Sequence, residues 1–470
     1  MIKYIKYIIL IVSVITSVIC INDTEDLYLL PLLPLCFGVL FYTCVSNKSR
    51  IGAGQTMLYI VLSFRYILYP IMLVIEGLQL MFPSTHTSQA IILMLFEMLI
   101  IFLTIKVYNR KRKQKTRRIL VLSRPVIYKG IIPVSILLFI ILSIAFPEAY
   151  ANDYFIWESE GIKEDAEAIS GAISKPLSWV RFFAEISLFS YLYYKYLITK
   201  NSLYLNLSIL PILIPCLWYT GESRVSFMVP AVAAIFTTLK SYGFSKVKLQ
   251  ITTIAIIGFL VLIILSLQKS LDSSSLTDTS GIFSANLLNA YFAGIDNVNV
   301  GIDAYNKFGN SLYLLFIDSF RNMMVVSRYL RDIPLGTGKF FNLTFYGSDI
   351  AADKIVPTII QGFMFFGPLL CFLPTLIMVY VTCKVDDLWY KTNNMYIAFM
   401  LVSFVTMVGF AVPGSWMHMT SRICNDVIPL LVLIKIVDIV FPKVQKKKRI
   451  FIVNRKKHKK LRTKISVMDR

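Results

Sequence analysis

The segment WYTGESRVSF, residues 218–227, places a carboxylate and a guanidinium, Glu222 and Arg224, between long apolar runs. A planar guanidinium binds phosphate oxygens in pairs, and a carboxylate can accept the proton of a hydroxyl group. Charges beside membrane-length apolar sequence are costly, so the pair indicates a functional site that binds an anion and moves a proton. The alternative is a charged hairpin tip that is only wetted by solvent.

Two further charged pairs lie within apolar stretches. Arg181 and Glu185, in SWVRFFAEISLF, are one helical turn apart and can form a private ion pair or take part in a site. Arg65 and Glu76, in LSFRYILYPIMLVIEGL, are about three turns apart and cannot contact each other directly. We therefore expect one of these two residues to meet a charge on another helix.

A third group of arginines follows a helical pattern in SLYLLFIDSFRNMMVVSRYLRD, residues 311–332. Arg321, Arg328 and Arg331 fall within about 80° of one another on such a helix. Apolar residues remain for another face, so the segment predicts an amphipathic helix that lies on a membrane surface. Its arginines can bind a substrate anion, or they can only solvate the helix and contact lipid phosphate.

The elements that must position these residues follow from composition. Of 470 residues, 56% are hydrophobic and 16% are charged, whereas a soluble protein carries about 25% charged residues. Many segments reach the roughly 20 apolar residues that cross a bilayer. We predict an all-α polytopic membrane protein with about 12 transmembrane helices and one large outer loop that contains the amphipathic helix. Hydropathy places the helices near 4–21, 27–45, 56–82, 89–108, 127–147, 176–198, 203–219, 225–241, 249–267, 356–382, 394–412 and 423–441.

The net charge of +21 is concentrated in two segments, residues 110–124 and 443–470. Basic residues collect on the cytoplasmic side of membrane proteins, so the charge reports topology and does not indicate nucleic-acid binding. Both termini are predicted to be cytoplasmic, and the acidic stretch 148–167 is predicted to be outside. The predicted organisation is helices 1–9 in 1–267 with an outer loop at 148–175, a large extracytoplasmic loop at 268–355, helices 10–12 in 356–441 and a basic cytoplasmic tail at 442–470.

Cysteine and histidine give no sign of a metal site. The seven cysteines are scattered without a C-x-x-C pair, and the chain has three histidines. No metal and no cofactor are expected. Arginines at the outer surface suit instead a lipid-linked diphosphate, whose oxygens lie at headgroup depth. Its sugars would project into the outer loops, which carry side chains that sugar binding favours: Tyr154, Trp157, Tyr291, Asn297 and Asn299.

The chain resembles the bacterial oligosaccharide repeat-unit polymerases of O-antigen, capsule and exopolysaccharide synthesis. The resemblance rests on TGESRVSFMVPAVAAIF at 220–236, on a large late outer loop, and on DIAADKIVPTIIQGFMFFGPLLCFL at 349–373. The last segment carries the Pro…Gly…Phe-Gly pattern of Pro357, Gly362, Phe366 and Gly367. The chain departs from related enzymes in lacking clear R-x10-G repeats in the outer loops. It also lacks the histidine that a ligase would have in the long loop. The catalytic base therefore stays unassigned.

The resemblance implies a metal-independent glycosyltransferase of the bacterial cytoplasmic (inner) membrane that uses an undecaprenyl-diphosphate-linked glycan as donor. Arg224, Arg181 and the loop arginines would neutralise the leaving diphosphate. Glu222 is the preferred candidate for the unassigned base, with loop aspartates as competitors. Substrate contacts would come from Arg321, Arg328, Arg331, Glu185, Trp157 and Tyr291. A flippase and a chain-length regulator are implied partners, besides membrane lipids. The alternatives are a flippase that exports the lipid-linked repeat unit and an O-antigen ligase.

Overall fold

The computed structural model describes residues 2–45, 51–82, 84–111, 125–147, 153–155, 170–220, 224–272, 284–321, 323, 324, 326, 336–347 and 355–443. Its first elements are α1 (Ile2–Ile19), α2 (Leu32–Cys44), α3 (Ala53–Ser63), the π-helix π1 (Phe64–Leu68), α4 (Tyr69–Ile75), α5 (Thr87–Lys111), α6 (Ile131–Ala145), β1 (Asp153–Phe155), α7 (Ser170–Thr199), α8 (Ser202–Leu217), β2 (Trp218–Thr220) and α9 (Arg224–Tyr242). The later elements are α10 (Phe244–Asp272), α11 (Ala285–Phe292), α12 (Ile295–Phe308), α13 (Leu312–Phe320), α14 (Thr337–Tyr346), α15 (Thr358–Phe366), α16 (Leu373–Lys391), α17 (Met395–Ala411), α18 (Trp416–Arg422), the π-helix π2 (Ile423–Val427) and α19 (Ile428–Val440).

The described residues are helical, apart from the short antiparallel pair β1–β2. Within this described part of the chain, two continuous helices, Ala53–Ile75 and Thr87–Lys111, are long and apolar enough to cross a membrane, which is consistent with a helical membrane protein. Helices occur at all twelve positions predicted from hydropathy, but the number of membrane crossings stays a prediction.

Apolar side chains are exposed along several helices that lie on the outside of the bundle. Ile8 on α1, Ile144 on α6 and Ile439 on α19 are more than half exposed to solvent. Soluble monomers seldom expose large contiguous apolar surfaces. Helices with this composition bury such side chains only when lipid or another chain covers them.

The prediction that residues 356–382 form one continuous helix is wrong. The chain forms α15, turns at 367–372, and starts again as α16. Gly367 has a φ of +75°, a left-handed conformation that ends a helix at low cost only in glycine. A side chain at Gly362 would overlap the Cys371 carbonyl oxygen, so the turn folds tightly back on α15.

The described residues of the predicted outer loop 268–355 are largely helical, and part of them enters the bundle. α11 and α12 form a hairpin that packs against α4, π1 and α5. The Asn289 Nδ2 atom donates to Asn297 Oδ1 at 2.9 Å across the hairpin, and Asn299 Nδ2 donates to Thr87 Oγ1 at 3.2 Å. Asn297 and Asn299 are fully buried. The expectation that these two asparagines contact sugar is therefore wrong, because their amides hold the hairpin in the core.

A close helix crossing anchors the other side of the core. A side chain at Gly409 on α17 would overlap the Gly54 carbonyl oxygen on α3, so glycine lets the two backbones touch. The first turn of α3 is capped by Asp386 of α16, whose carboxylate accepts from the Gly54 and Gln55 amides at 3.1 Å each. A carboxylate at this position satisfies the free N–H groups of the helix start.

Candidate functional site

A cluster of polar side chains forms where α7, π2 and the segment after α13 meet. We call it the Asn425 cluster and define it as Lys175, Trp179, Met324, Arg422, Asn425 and Asp426. Asn425 joins the three elements: its carbonyl oxygen accepts from Trp179 Nε1 at 3.1 Å, and its Oδ1 atom accepts from the Met324 backbone amide at 2.9 Å. Asn425 lies in a π-helical turn, a feature found frequently at functional sites.

The charges of the Asn425 cluster leave an excess of one positive charge. Asp426 Oδ2 lies 2.7 Å from Arg422 Nη1, and Asp426 Oδ1 lies 3.4 Å from Lys175 Nζ. The Arg422 side chain is 46% exposed and the Lys175 side chain is 33% exposed. One carboxylate thus orients two accessible cations. An arrangement of this kind can accept an oxyanion without leaving a buried charge unpaired.

Sequence reasoning missed the charged members of the Asn425 cluster. A signal was present in SRICND, residues 421–426, where Arg422 and Asp426 have the i,i+4 spacing of an ion pair. Hydropathy started the last helix at 423 and so separated the two residues. The helix in fact starts at Trp416, with both residues on it.

Arg181 and Glu185 lie two to three turns further along α7. Arg181 Nε is 3.5 Å from Glu185 Oε1, and the carboxylate is almost fully buried. The geometry matches the ion pair that was one of the two sequence interpretations. Glu185 is also near Cys216, at the end of α8. Because α7 and α8 are antiparallel neighbours, Arg181 lies close to the level at which α8 passes into β2.

The WYTGESR turn is partly described. β1 pairs with β2 so that Tyr154 lies opposite Tyr219, and the acidic loop therefore contacts the strand that precedes the turn. Arg224 is the first residue of α9; its side chain lies outside the described part of the structure, as do Glu222 and Trp157. Met228, one turn later, packs against the cluster of Met57, Val61 and Phe410, which places the start of α9 beside α3 and α17.

The predicted helix at 311–332 is shorter than expected, because α13 ends at Phe320. Arg321 caps its C-terminus and is half-buried, while Arg328 and Arg331 lie outside the described residues. The exposed face of α13 is apolar and consists of Leu312, Tyr313, Phe316 and Phe320. Asp318 is on the buried face of α13, where its carboxylate accepts from the Thr337 amide.

The pair Arg65 and Glu76 has separate partners, as their spacing requires. Arg65 Nη1 forms a salt bridge of 2.8 Å with Glu97 Oε2 on α5, which confirms that Arg65 meets a charge on another helix. Glu76 Oε1 accepts from the Ala285 amide at 2.9 Å and caps α11. Tyr291, the predicted sugar contact on α11, is half-buried next to Phe292, which stacks on Phe64.

No group of three or more histidine, cysteine, aspartate or glutamate side chains that could hold a metal ion occurs among the described residues. No protein-family model, no curated protein and no solved structure matches the chain. The site is therefore argued from its own geometry.

Proposed function

We propose that the protein is a polymerase that joins undecaprenyl-diphosphate-linked oligosaccharide repeat units into a surface polysaccharide on the outer face of the bacterial cytoplasmic membrane. The observation that carries the proposal is the Asn425 cluster. It presents Arg422 and Lys175 as accessible cations oriented by one carboxylate, and hydrogen bonds to Asn425 join the three elements of the cluster. A diphosphate needs two or more such donors, because its charge is spread over several oxygens.

The position of α13 supports a substrate that is anchored in lipid. Its exposed apolar face suits contact with the membrane interface, and the chain that follows it reaches the Asn425 cluster at Met324. A lipid-linked diphosphate would meet the cluster at headgroup depth, with its sugars directed away from the membrane.

Contacts between distant segments support the predicted alternation of sides. β1 and β2 join two loops that are both predicted to be outside. Tyr128 pairs with Lys443 at two segments that are both predicted to be inside. Reporter tags near residues 160 and 280 should therefore be extracytoplasmic, and tags near 115 and at the C-terminus cytoplasmic. A C-terminal tag found outside would refute the orientation.

The reaction would be a transfer of the growing glycan. A hydroxyl of the terminal sugar on one lipid-linked repeat attacks the anomeric carbon of the donor. The new carbon–oxygen bond forms as the bond from that carbon to the diphosphate breaks, and the hydroxyl proton passes to a base, for which Glu222 is the candidate. Arg224, Arg181 and the Asn425 cluster would stabilise the negative charge that develops on the departing diphosphate.

The experiment that tests this proposal is removal of the gene, followed by analysis of lipid-linked repeats on each leaflet. A polymerase predicts single repeats that accumulate on the outer leaflet. An O-antigen ligase predicts instead that finished polymer accumulates on its lipid carrier.

A flippase is the second candidate, and one observation favours it. α12 and α15 are short helices that begin inside the bundle, where Ile295 and Thr358 are buried. Transporters use discontinuous helices of this kind to form substrate sites. A flippase predicts single repeats that are trapped on the inner leaflet, so the same experiment separates the two functions.

A further inference from the structure

Four elements are joined by hydrogen bonds through Asp318, Ser319, Thr337, Gln361 and Trp416, which we call the Asp318 ring. Asp318 Oδ1 accepts from the Thr337 amide at 3.2 Å, and Asp318 Oδ2 accepts from the Thr337 hydroxyl. Gln361 Nε2 donates to Thr337 Oγ1 at 3.2 Å. Gln361 Oε1 accepts from the Trp416 amide at 2.6 Å, and Trp416 Nε1 donates to Ser319 Oγ at 2.8 Å.

The ring is a built feature of the core. Asp318, Thr337 and Gln361 are at most 1% exposed. A side chain at Gly336 would overlap Asp318 Oδ1, so the glycine makes room for the carboxylate at the start of α14. Buried hydrogen bonds with every partner present specify one arrangement of the elements that carry them.

Three hydrogen bonds of the ring form a chain that runs in one direction, from Trp416 to Asp318. Trp416 donates to Gln361, Gln361 donates to Thr337, and Thr337 donates to the Asp318 carboxylate. The single hydroxyl proton of Thr337 must therefore point at Asp318, and this fixes the orientation of the Gln361 amide. The orientation in turn presents Oε1, and not the NH₂ group, to the Trp416 amide.

Two residues of the ring, Asp318 and Trp416, lie on the elements that lead to the candidate phosphate ligands. Asp318 lies one turn before Arg321 on α13, and Trp416 begins the helix that carries Arg422. The ring thus ties the segment of Arg321 to the helix of Arg422 at a point distinct from the Asn425 cluster.

The geometry points to the Asp318 ring as a positioning device that holds the segment of Arg321 and the helix of Arg422 in place to bind one lipid-linked diphosphate, with Gln361 as its central residue. The inference rests on the proposed function. Displacing a charged side chain from its substrate by about 1 Å can cost up to about a hundredfold in rate. The ring should therefore affect the use of the lipid-linked glycan donor without contacting that substrate.

The decisive variant is Gln361→Glu, which has the same shape. At pH 8 the introduced carboxylate and Asp318 both require the one proton of Thr337, so polymerisation in isolated membranes should fall by about tenfold or more. At pH 6 a proton on either the introduced carboxyl or Asp318 supplies the missing donor in the contacts with Thr337, while a carboxyl oxygen still accepts from Trp416. Polymerisation by Gln361→Glu, relative to the unchanged protein, should therefore rise as the pH falls. A purely structural role predicts that this recovery follows the amount of folded protein in the membrane, whereas a positioning role predicts the recovery at equal amounts of folded protein.

A matched pair on α14 provides the control. Thr337→Val removes the ring hydroxyl, whereas Thr344→Val removes a hydroxyl that bonds only to Phe340 of its own helix. Thr337→Val should raise the donor concentration needed for half-maximal rate, and Thr344→Val should not. The positioning role of the ring would be overturned by two results together. The two threonine variants would need the same donor concentration for half-maximal rate, and polymerisation by Gln361→Glu relative to the unchanged protein would not change with pH.

A third variant separates failure of this inference from failure of the proposed function. If Arg422→Ala is inactive while the ring variants are unaffected, the ring positions nothing and the polymerase site stands. If Arg422→Ala makes full-length polymer, the phosphate site itself is wrong and the ring inference falls with it.

Discussion

Two regions of the molecule use the same kinds of charge in opposite ways. Arg65 and Glu97 form a fully buried pair about 15 Å from the ends of their helices at Ile75 and Thr87. Glu97 also accepts from Thr375 Oγ1 at 3.2 Å, so the pair ties three helices together. Arg422 Nη1 and Asp426 Oδ2 are 2.7 Å apart, which is 0.1 Å closer than the buried pair, yet the Arg422 side chain is 46% exposed.

The difference is one of access. A charge sealed in the core can act only on its neighbours, and its value lies in fixing their positions. A charge that remains half-exposed keeps donors for a ligand while its partner orients it. Burial therefore divides the charges of these helices into a structural group, which contains Arg65, and a candidate binding group, which contains Arg422.

The largest effect is expected when the buried pair is broken. Arg65→Ala leaves Glu97 charged and unpaired in the core, which costs about 3–5 kcal/mol and should remove most folded protein from the membrane. Yield and melting temperature in detergent measure the loss. The double variant Arg65→Met/Glu97→Leu should recover folding, because both charges are gone. Failure of that recovery would show that the pair has a role beyond structure.

The next effect concerns Arg224, at the start of α9. Arg224→Ala should lower polymerisation by a factor of about 30 to 1,000, which corresponds to about 2–4 kcal/mol of lost charge stabilisation. Arg224→Lys should also lose most activity, because an ammonium lacks the planar fork of a guanidinium. Gel ladders of the polymer measure both variants.

The matched control for Arg224 is Lys248→Ala. This variant removes an exposed charge near the start of α10, beyond the end of α9 that is opposite to Arg224. Lys240 is unsuitable, since its ammonium is buried and donates to the Trp389 carbonyl. If the Arg224→Ala variant still made full-length polymer, the prediction would be contradicted and the turn would be only a solvated hairpin tip.

A pH-dependent effect is expected at Asp318. Burial raises the pKa of its carboxyl from 3.8 to about 6, with Arg321 acting in the opposite direction. As the pH falls, the folded state therefore binds this proton at a higher pH than the unfolded state does. The contribution of this group to the stability of the fold rises as the pH falls from 8 through 6 towards 4. The melting temperature of the protein relative to Asp318→Asn should rise over the same range. A constant difference would contradict the burial of an ionisable group there.

The smallest effect is expected at the exposed edge of the Asn425 cluster. Lys175 is one-third exposed and 3.4 Å from Asp426, and pairs of this kind contribute about 0–1 kcal/mol to stability. Lys175→Ala should leave the melting temperature unchanged and weaken donor use by no more than about fivefold, with less effect at high salt. Loss of folded protein in this variant would place Lys175 in the structural group beside Arg65.

Local pattern was enough for much of the fold. Apolar runs and their lengths located helices, because each run must be helical to satisfy its own backbone in an apolar setting. The spacing of Arg65 and Glu76 was enough to show that they could not pair. Neither pattern could name Glu97 as the partner of Arg65, since the two residues are 32 positions apart and meet only when α5 packs on π1.

The sequence by itself determined the helical class, the concentration of charge in two segments and the presence of arginines that could bind phosphate. The tertiary structure decided which of these charges are accessible. It buried Asn297 and Asn299 in a hairpin that looked like a loop, broke the tenth helix at Gly367, and brought Lys175 to Arg422 and Asp426 across nearly 250 residues. Periodicity is a property of a single segment, whereas burial and ion pairing depend on which segments pack together.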